Sequence, residues 1–341
     1  MTEQDNNTAI NKSNTKDIQA VKYHQFGDPA EVLKVEKQLN VRPPKQGEVL
    51  VRMNARPINP SDLIPITGAY AHRIDVPAVP GYEGIGVVEE VGAGVSKSLL
   101  GRRVLPLRGE GTWQTYVRTK AAYAVPVPNE IEDQVAAQLY INPLTAWVTS
   151  TDILALCPGD TLLINASHSS LGRLYLQLSQ LLGFHVIAVT RHSRERQTLF
   201  QLGAQHVINA SDTSLYPTVM SLTGGTGVDA AIDMVGGRSG TVLASCVRPS
   251  GTYLSLGLLS GTPVKWSQLA QQEIQVQLFH LRHWNAQVSD VTWRGTFQRL
   301  FTLMMEQKLQ LINPRIAYPL TEVKKAVQDA QLNGRGKVLL T

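Results

Sequence analysis

Two arginines, a histidine and a serine stand together at Thr190-Arg191-His192-Ser193-Arg194, directly after the apolar run 184–189. Guanidinium groups so spaced, with a hydroxyl between them, suit a phosphate monoester, which they grip through charge-assisted hydrogen bonds. Upstream, Asn165-Ala-Ser-His-Ser-Ser-Leu-Gly172 follows a second apolar run, 161–164, and a turn of such small polar residues exposes backbone N–H groups to a pyrophosphate. In the NAD form of this unit an acidic residue ends the second strand and takes the ribose 2′-hydroxyl. No carboxylate stands at that place here. The two stretches therefore read as a dinucleotide cradle with a 2′-phosphate pocket, and NADPH is the expected cofactor. Ser167, His168, Ser169, Ser170 and Leu171 are the expected pyrophosphate contacts, and Arg191, His192 and Arg194 the expected phosphate contacts. Only Gly172 of the glycines usual in such a turn is present, and Ser170 needs a φ that a residue with Cβ accepts. The arginines thus carry the cofactor reading more than the glycine pattern does.

The elements that must hold these residues follow from periodicity. Leu174, Leu178, Leu181 and Leu182 fall at helical spacing and Gly183 stops the helix, so 161–194 reads as strand, turn, helix, strand. Further strands at 206–208, 230–234 and 252–256 alternate with helical stretches from about Gln134 onward, which predicts a doubly wound parallel sheet. Before that, short strands at 21–23, 33–37, 48–55, 85–91, 103–107 and 116–119 are punctuated by prolines and glycines, which predicts a mostly-β unit. The strand 274–278, a helix at about 293–307 and a last strand at 338–341 complete the chain and return it to the first unit.

Composition bounds the rest. A chain of 341 residues with 43% hydrophobic content can bury a large core and suggests two domains. Its net charge of +5, from 32 basic and 27 acidic residues, is scattered without a basic run, so no nucleic-acid signature is present. Two cysteines, Cys157 and Cys246, lie far apart without a Cys-x-x-Cys spacing; they support neither a disulfide framework nor a structural zinc, and read as inert packing residues. The first 17 residues are polar and contain acidic residues, unlike a secretory or transit leader, and read as a disordered tail. No apolar stretch reaches transmembrane length, so no membrane contact and a cytoplasmic location are expected.

Several motifs carry a family resemblance: Asn59-Pro-Ser-Asp62, Pro80-Gly-Tyr-Glu-Gly-Ile-Gly-Val-Val88, Asn142-Pro-Leu-Thr-Ala146, Pro158-Gly-Asp160, Gly203-Ala204, Gly225-Thr-Gly-Val-Asp229 and Gly334-Arg-Gly-Lys337. On these, nearly everything after residue 18 resembles the medium-chain dehydrogenase/reductase superfamily in its zinc-free, quinone reductase-like branch. The resemblance implies an α/β fold: a GroES-like mostly-β catalytic domain over 18–138 and 284–341, and a Rossmann NADPH-binding domain over 139–283. Zinc enzymes of the superfamily place a Cys near Ser61 or Asp62 and a His before the Glu of a Gly-His-Glu motif. Here the chain reads Gly81-Tyr82-Glu83 and has no cysteine before Cys157, so a tetrahedral zinc lacks ligands and no metal is expected.

Without a metal, the hydride acceptor must be polarised by hydrogen bonds or be electron-poor already, as a quinone or an α,β-unsaturated carbonyl is. Within the branch the chain is most similar to the mitochondrial-type 2-enoyl thioester reductases, through Asn59-Pro-Ser-Asp62 with Gly68-Ala-Tyr70, Gly111-Thr-Trp-Gln-Thr115, Asn142-Pro-Leu-Thr145, Asn165-Ala-Ser-His-Ser169 and Phe279-His-Leu-Arg-His-Trp284. Two departures from that pattern stand in the turn, His168 for asparagine and Ser170 for glycine. The likeness implies that Tyr70 assists protonation or stabilises a developing enolate, that Trp284 borders the acyl pocket, and that Asn59 helps to hold the nicotinamide end. It also implies cofactor contacts from Asn142, Thr145, Gly257, Phe279, Leu281 and Lys337. The expected activity is NADPH-dependent reduction of an activated C=C bond in an enoyl thioester or enone. Quinone reduction is the alternative reaction, and a non-catalytic NADPH-binding sensor or structural protein the alternative of another class. The strand 274–278 resembles the edge by which the family pairs its cofactor domains, which implies a homodimer.

Overall fold

A computed structural model describes residues 18–257, 259–269, 272–332 and 336–341. The tail at 1–17, together with Gly334 and Arg335 of the last motif, lies outside the described residues. Strands β1 (Gln19–Lys22) and β2 (Lys34–Lys37) pair antiparallel. They adjoin a seven-stranded sheet built from β3 (Glu48–Pro57), β4 (Ile85–Val91), β5 (Arg103–Pro106), β6 (Tyr116–Lys120), β7 (Ala124–Pro126), β14 (Ile316–Tyr318) and β15 (Val338–Leu340). Its order is β14-β15-β3-β4-β5-β7, with β6 on β3, so the end of the described chain is woven beside β3.

The second sheet is fully parallel: β8 (Thr161–Ile164), β9 (His185–Thr190), β10 (His206–Asn209), β11 (Val228–Asp233), β12 (Val247–Ser255) and β13 (Gln275–Leu278), in the order β10-β9-β8-β11-β12-β13. The order reverses between β8 and β11, and at such a switch point the carboxyl ends of the strands open a crevice for a ligand. Side-chain alternation explains the two covered faces. Leu162, Ile164, Val186, Ala188, Ala230 and Ile232 join the large core shared with the helices Ile141–Val148, Ser170–Leu182 and Asp290–Met305. Leu163, Ile187, Val189 and Ala231 point the other way, into a separate core with Leu215, Val219, Leu243 and Tyr253. Strands buried on both faces read as continuous apolar runs, which is why β8 and β9 are visible in sequence.

Differences from the sequence expectations have local causes. The helix Ser170–Leu182 begins four residues before Leu174, the first of its spaced leucines, because Ser169 caps it by accepting from the Gly172 N–H at 3.1 Å. The helix Asp290–Met305 likewise starts early behind the Ser289 cap. The short strands β7 and β14 were not among the strands expected from sequence. Cys246 is buried, but Cys157 is exposed, a correction to its reading as a packing residue: it sits in the turn before β8, where its N–H donates to Asp160 at 2.8 Å. Among the described residues no helix is long and apolar enough to cross a membrane.

Candidate active site

The cradle forms at the carboxyl ends of β8 and β9. Ala166 takes a left-handed φ of 48°, turning the chain out of β8. The Ser167 hydroxyl lies 3.1 Å from the Ile164 carbonyl and 3.0 Å from that of Val189, so this buried side chain ties the two strand ends together and is directed into the protein. Ser169 is likewise spent as the helix cap. The N–H groups of His168, Ser170 and Leu171 find no acceptor among the described residues, as expected at the start of a helix. The Nδ1 of His168 is buried without a partner, and burial holds that imidazole below its usual value. Gly172 is where a glycine is indispensable: a Cβ there would lie 2.6 Å from the Ser167 carbonyl oxygen and 2.7 Å from that of Ala166. Ser170, by contrast, is the first helical residue and has ordinary helical backbone, so its Cβ is accommodated. Unpaired donors, an orphaned ring nitrogen and a close-packed turn fit a pyrophosphate.

Beyond β9, Arg191, His192, Ser193 and Arg194 line a surface pocket of about 350 Å³ with Asn209 and Asp212. Arg194 leans 3.4 Å from Glu195, while the Thr190 hydroxyl accepts from the His192 N–H at 3.2 Å and fixes the turn. The switch point itself is held by a buried network. Asn165 donates to the Asp233 carboxylate and accepts from the Met234 N–H at 2.8 Å; Asp233 also accepts from the N–H groups of Val235 and Gly236, each at 2.9 Å, and from the Tyr253 hydroxyl. Asp233 and Tyr253 are missing from the sequence expectations. Their nearest signal was Asn165, polar where an apolar strand ends. Gly257 follows β12 near the Met234 carbonyl, and Phe279 is buried where β13 ends, its N–H on the Ser255 carbonyl at 3.0 Å.

A third group sits where the catalytic sheet meets the helix Ile141–Val148. Glu83, fully buried, accepts from the N–H groups of Tyr140 at 3.2 Å and Ile141 at 2.7 Å, and so caps that helix with a carboxylate. Its other oxygen accepts from the Asn59 amide at 2.8 Å, and the Lys337 ammonium donates to the Asn59 side-chain oxygen. Asp62 accepts from the N–H groups of Asn59 at 2.8 Å and Tyr82 at 3.1 Å. Burial pushes Asp62 up to about 7 and raises Glu83, whereas it lowers Lys337 against the pull of both carboxylates. Asn59 and Lys337 are therefore placed in a buried charge cluster that supports the helix, with the Lys337 ammonium turned inward. Glu83 and Asp62 were readable in the quoted motifs, but not as members of one cluster. Among the described residues no three His, Cys, Asp or Glu side chains gather as a metal-ligand set.

The helix so capped carries Asn142 and Thr145 on one face, and neither side chain has a hydrogen-bond partner among the described residues. Trp284 and Leu281 are half-buried against the large core, on the helix Leu281–Gln287. That helix is fastened to the previous one by Asn285, which donates to the Tyr140 hydroxyl at 2.7 Å and accepts from the Trp293 indole at 2.8 Å. Tyr70, half-buried and also without a hydrogen-bond partner among the described residues, lies under the Arg73 guanidinium at 4.1 Å.

Residues 45–129 match the alcohol dehydrogenase GroES-like domain family, and residues 170–298 the zinc-binding dehydrogenase family. The mitochondrial enoyl-[acyl-carrier-protein] reductase of Xenopus tropicalis is 34% identical, covering 91% of this chain and 91% of that protein. A Bacillus thuringiensis structure assigned as an NADPH:quinone reductase is 52% identical with a TM-score of 0.93, covering 95% of this chain and 98% of the other. A mycobacterial structure solved in complex with NADPH is 26% identical with a TM-score of 0.83, covering 95% and 99%.

Proposed function

Because this chain belongs to the medium-chain dehydrogenase/reductase superfamily, close to the mitochondrial enoyl-[acyl-carrier-protein] reductases, we propose that it is an NADPH-dependent, metal-independent reductase of an activated C=C bond. The observation that carries this reading is the pocket of Arg191, His192, Ser193 and Arg194 beyond β9, which offers guanidinium groups where an NAD site offers a carboxylate. The free N–H groups of His168, Ser170 and Leu171 would hold the pyrophosphate, and Asn142 and Thr145 the nicotinamide end. When bound, NADPH would supply the hydride to the β carbon, and a proton then reaches the α carbon to complete the reduction. The Tyr70 phenol donates a hydrogen bond to the acceptor's carbonyl oxygen, where negative charge develops, and Trp284 walls the acyl chain from water. Quinone reduction is the second reading, favoured by the likeness to the Bacillus thuringiensis protein. We further propose a cytoplasmic homodimer joined through β13.

The test is NADPH and NADH oxidation with a crotonyl thioester, an enone and a quinone, with and without chelator, for the wild type, Arg191→Ala and Tyr70→Phe. Thioester turnover is expected to prefer NADPH, to survive chelation, and to fall on the order of 10²-fold in Tyr70→Phe. Arg191→Ala should weaken NADPH more than NADH; equal losses remove the 2′-phosphate assignment. Faster quinone turnover unaffected by Tyr70→Phe selects the second reading. Tight NADPH binding with no acceptor reduced would mean a binding protein.

A further inference from the structure

A continuous run of buried hydrogen bonds ties the catalytic sheet to the helix Ile141–Val148. The Lys337 ammonium, just before β15, donates to the Asn59 side-chain oxygen, and the Asn59 amide donates to Glu83 at 2.8 Å. The other Glu83 oxygen accepts from the N–H groups of Tyr140 at 3.2 Å and Ile141 at 2.7 Å. The Tyr140 hydroxyl accepts from the Asn285 amide at 2.7 Å, and the Asn285 oxygen accepts from the Trp293 indole at 2.8 Å. All six side chains of this run are buried, and a buried network satisfied at each link is rigid.

The order of donors and acceptors is fixed by chemistry. An ammonium can only donate, so Asn59 must turn its oxygen to Lys337 and its amide to Glu83. Glu83 then receives three N–H groups and must accept on both oxygens. Its grip closes on Ile141, one residue before Asn142 and one turn before Thr145. We propose that Glu83 is a positioning residue for the cofactor: held by Asn59 and Lys337, it fixes the start of Ile141–Val148 and so aligns Asn142 and Thr145 on the nicotinamide end. This role rests on the reading of those two residues as the nicotinamide seat, and deepens it by naming what aligns them. It concerns the nicotinamide half alone, because the arginine pocket beyond β9 is built on other elements.

The experiment measures, by calorimetric titration of the whole protein, the dissociation constants of NADPH and of adenosine 2′,5′-bisphosphate, which carries the 2′-phosphate but no nicotinamide. Glu83→Gln keeps the shape but turns an amide on either the helix N–H groups or the Asn59 amide. NADPH affinity should fall about threefold to tenfold, the range expected for about one hydrogen bond, with bisphosphate affinity unchanged. Glu83→Asp keeps the charge but cannot reach both neighbours, and should show the same selective loss. Asn59→Asp combined with Glu83→Gln moves the carboxylate one link along and gives each donor an acceptor again, so NADPH affinity should recover. Equal losses for both ligands, no loss, or a loss that the double variant keeps overturns the positioning role. Thr145→Val separates this outcome from the reading beneath it. A loss confined to NADPH in Thr145→Val, with none in Glu83→Gln, removes the positioning role alone. No loss in either Thr145→Val or Asn142→Ala removes the nicotinamide seat and the positioning role with it.

Discussion

Asp62 illustrates how burial sets chemistry at a single residue. Its carboxylate is enclosed near Glu83 and Lys337, and burial lifts it to about 7 from an ordinary 3.8. An acid raised in this way leaves the fold at full stability below its unfolded value and destabilises it as pH climbs through its folded value. Stability should therefore decline between about pH 4 and about pH 7 on this residue's account. Urea titrations at mildly acidic and mildly alkaline pH are expected to show a difference that Asp62→Asn reduces by about 2–3 kcal/mol. An unchanged difference would remove Asp62 as its source. The residue types of this cluster were legible, since Asn59-Pro-Ser-Asp62 and Gly81-Tyr82-Glu83 stand out as motifs. Their grouping was not: Asn59 and Lys337 are 278 positions apart, and no local period reports such a contact.

Among the elements, the turn from β8 into its helix depends on one missing side chain. Gly172→Ala places a Cβ against two carbonyl oxygens that belong to the turn backbone, so the turn itself must move. A loss of about 1–3 kcal/mol is expected in the urea midpoint, together with weaker NADPH binding, because the free N–H groups shift with the turn. A variant of wild-type stability and affinity would show that the turn is plastic. The strands β4 and β8 were marked by sequence at their true limits. Helix starts were not, because a cap is set by one serine whose role depends on backbone geometry. The π-helical turn Thr149–Ile153 after Ile141–Val148 escaped for a related reason. Four of its five residues are small, polar or acidic, and their fixing contact, the Thr149 hydroxyl 2.7 Å from that of Tyr175, is between distant segments.

For the whole molecule, β13 is hydrogen-bonded to β12 and closes one edge of the parallel sheet. Its Val276 is 48% exposed and Leu278 75% exposed, an apolar edge of the kind that a second copy covers. Leu278→Lys is expected to convert a dimer to monomers in sedimentation velocity, with the secondary structure unchanged. A wild type that sediments as a monomer would remove this interface. The two-sheet plan was legible because the hydrophobic period changes along the chain; how the sheets join was not. Lys337 completes the charge cluster around Glu83, yet a ribosome makes it after all six strands of the cofactor sheet. The cluster around Glu83 therefore gains the Lys337 ammonium only once the whole parallel sheet has been synthesised, although Asn59, Asp62 and Glu83 precede that sheet in the chain.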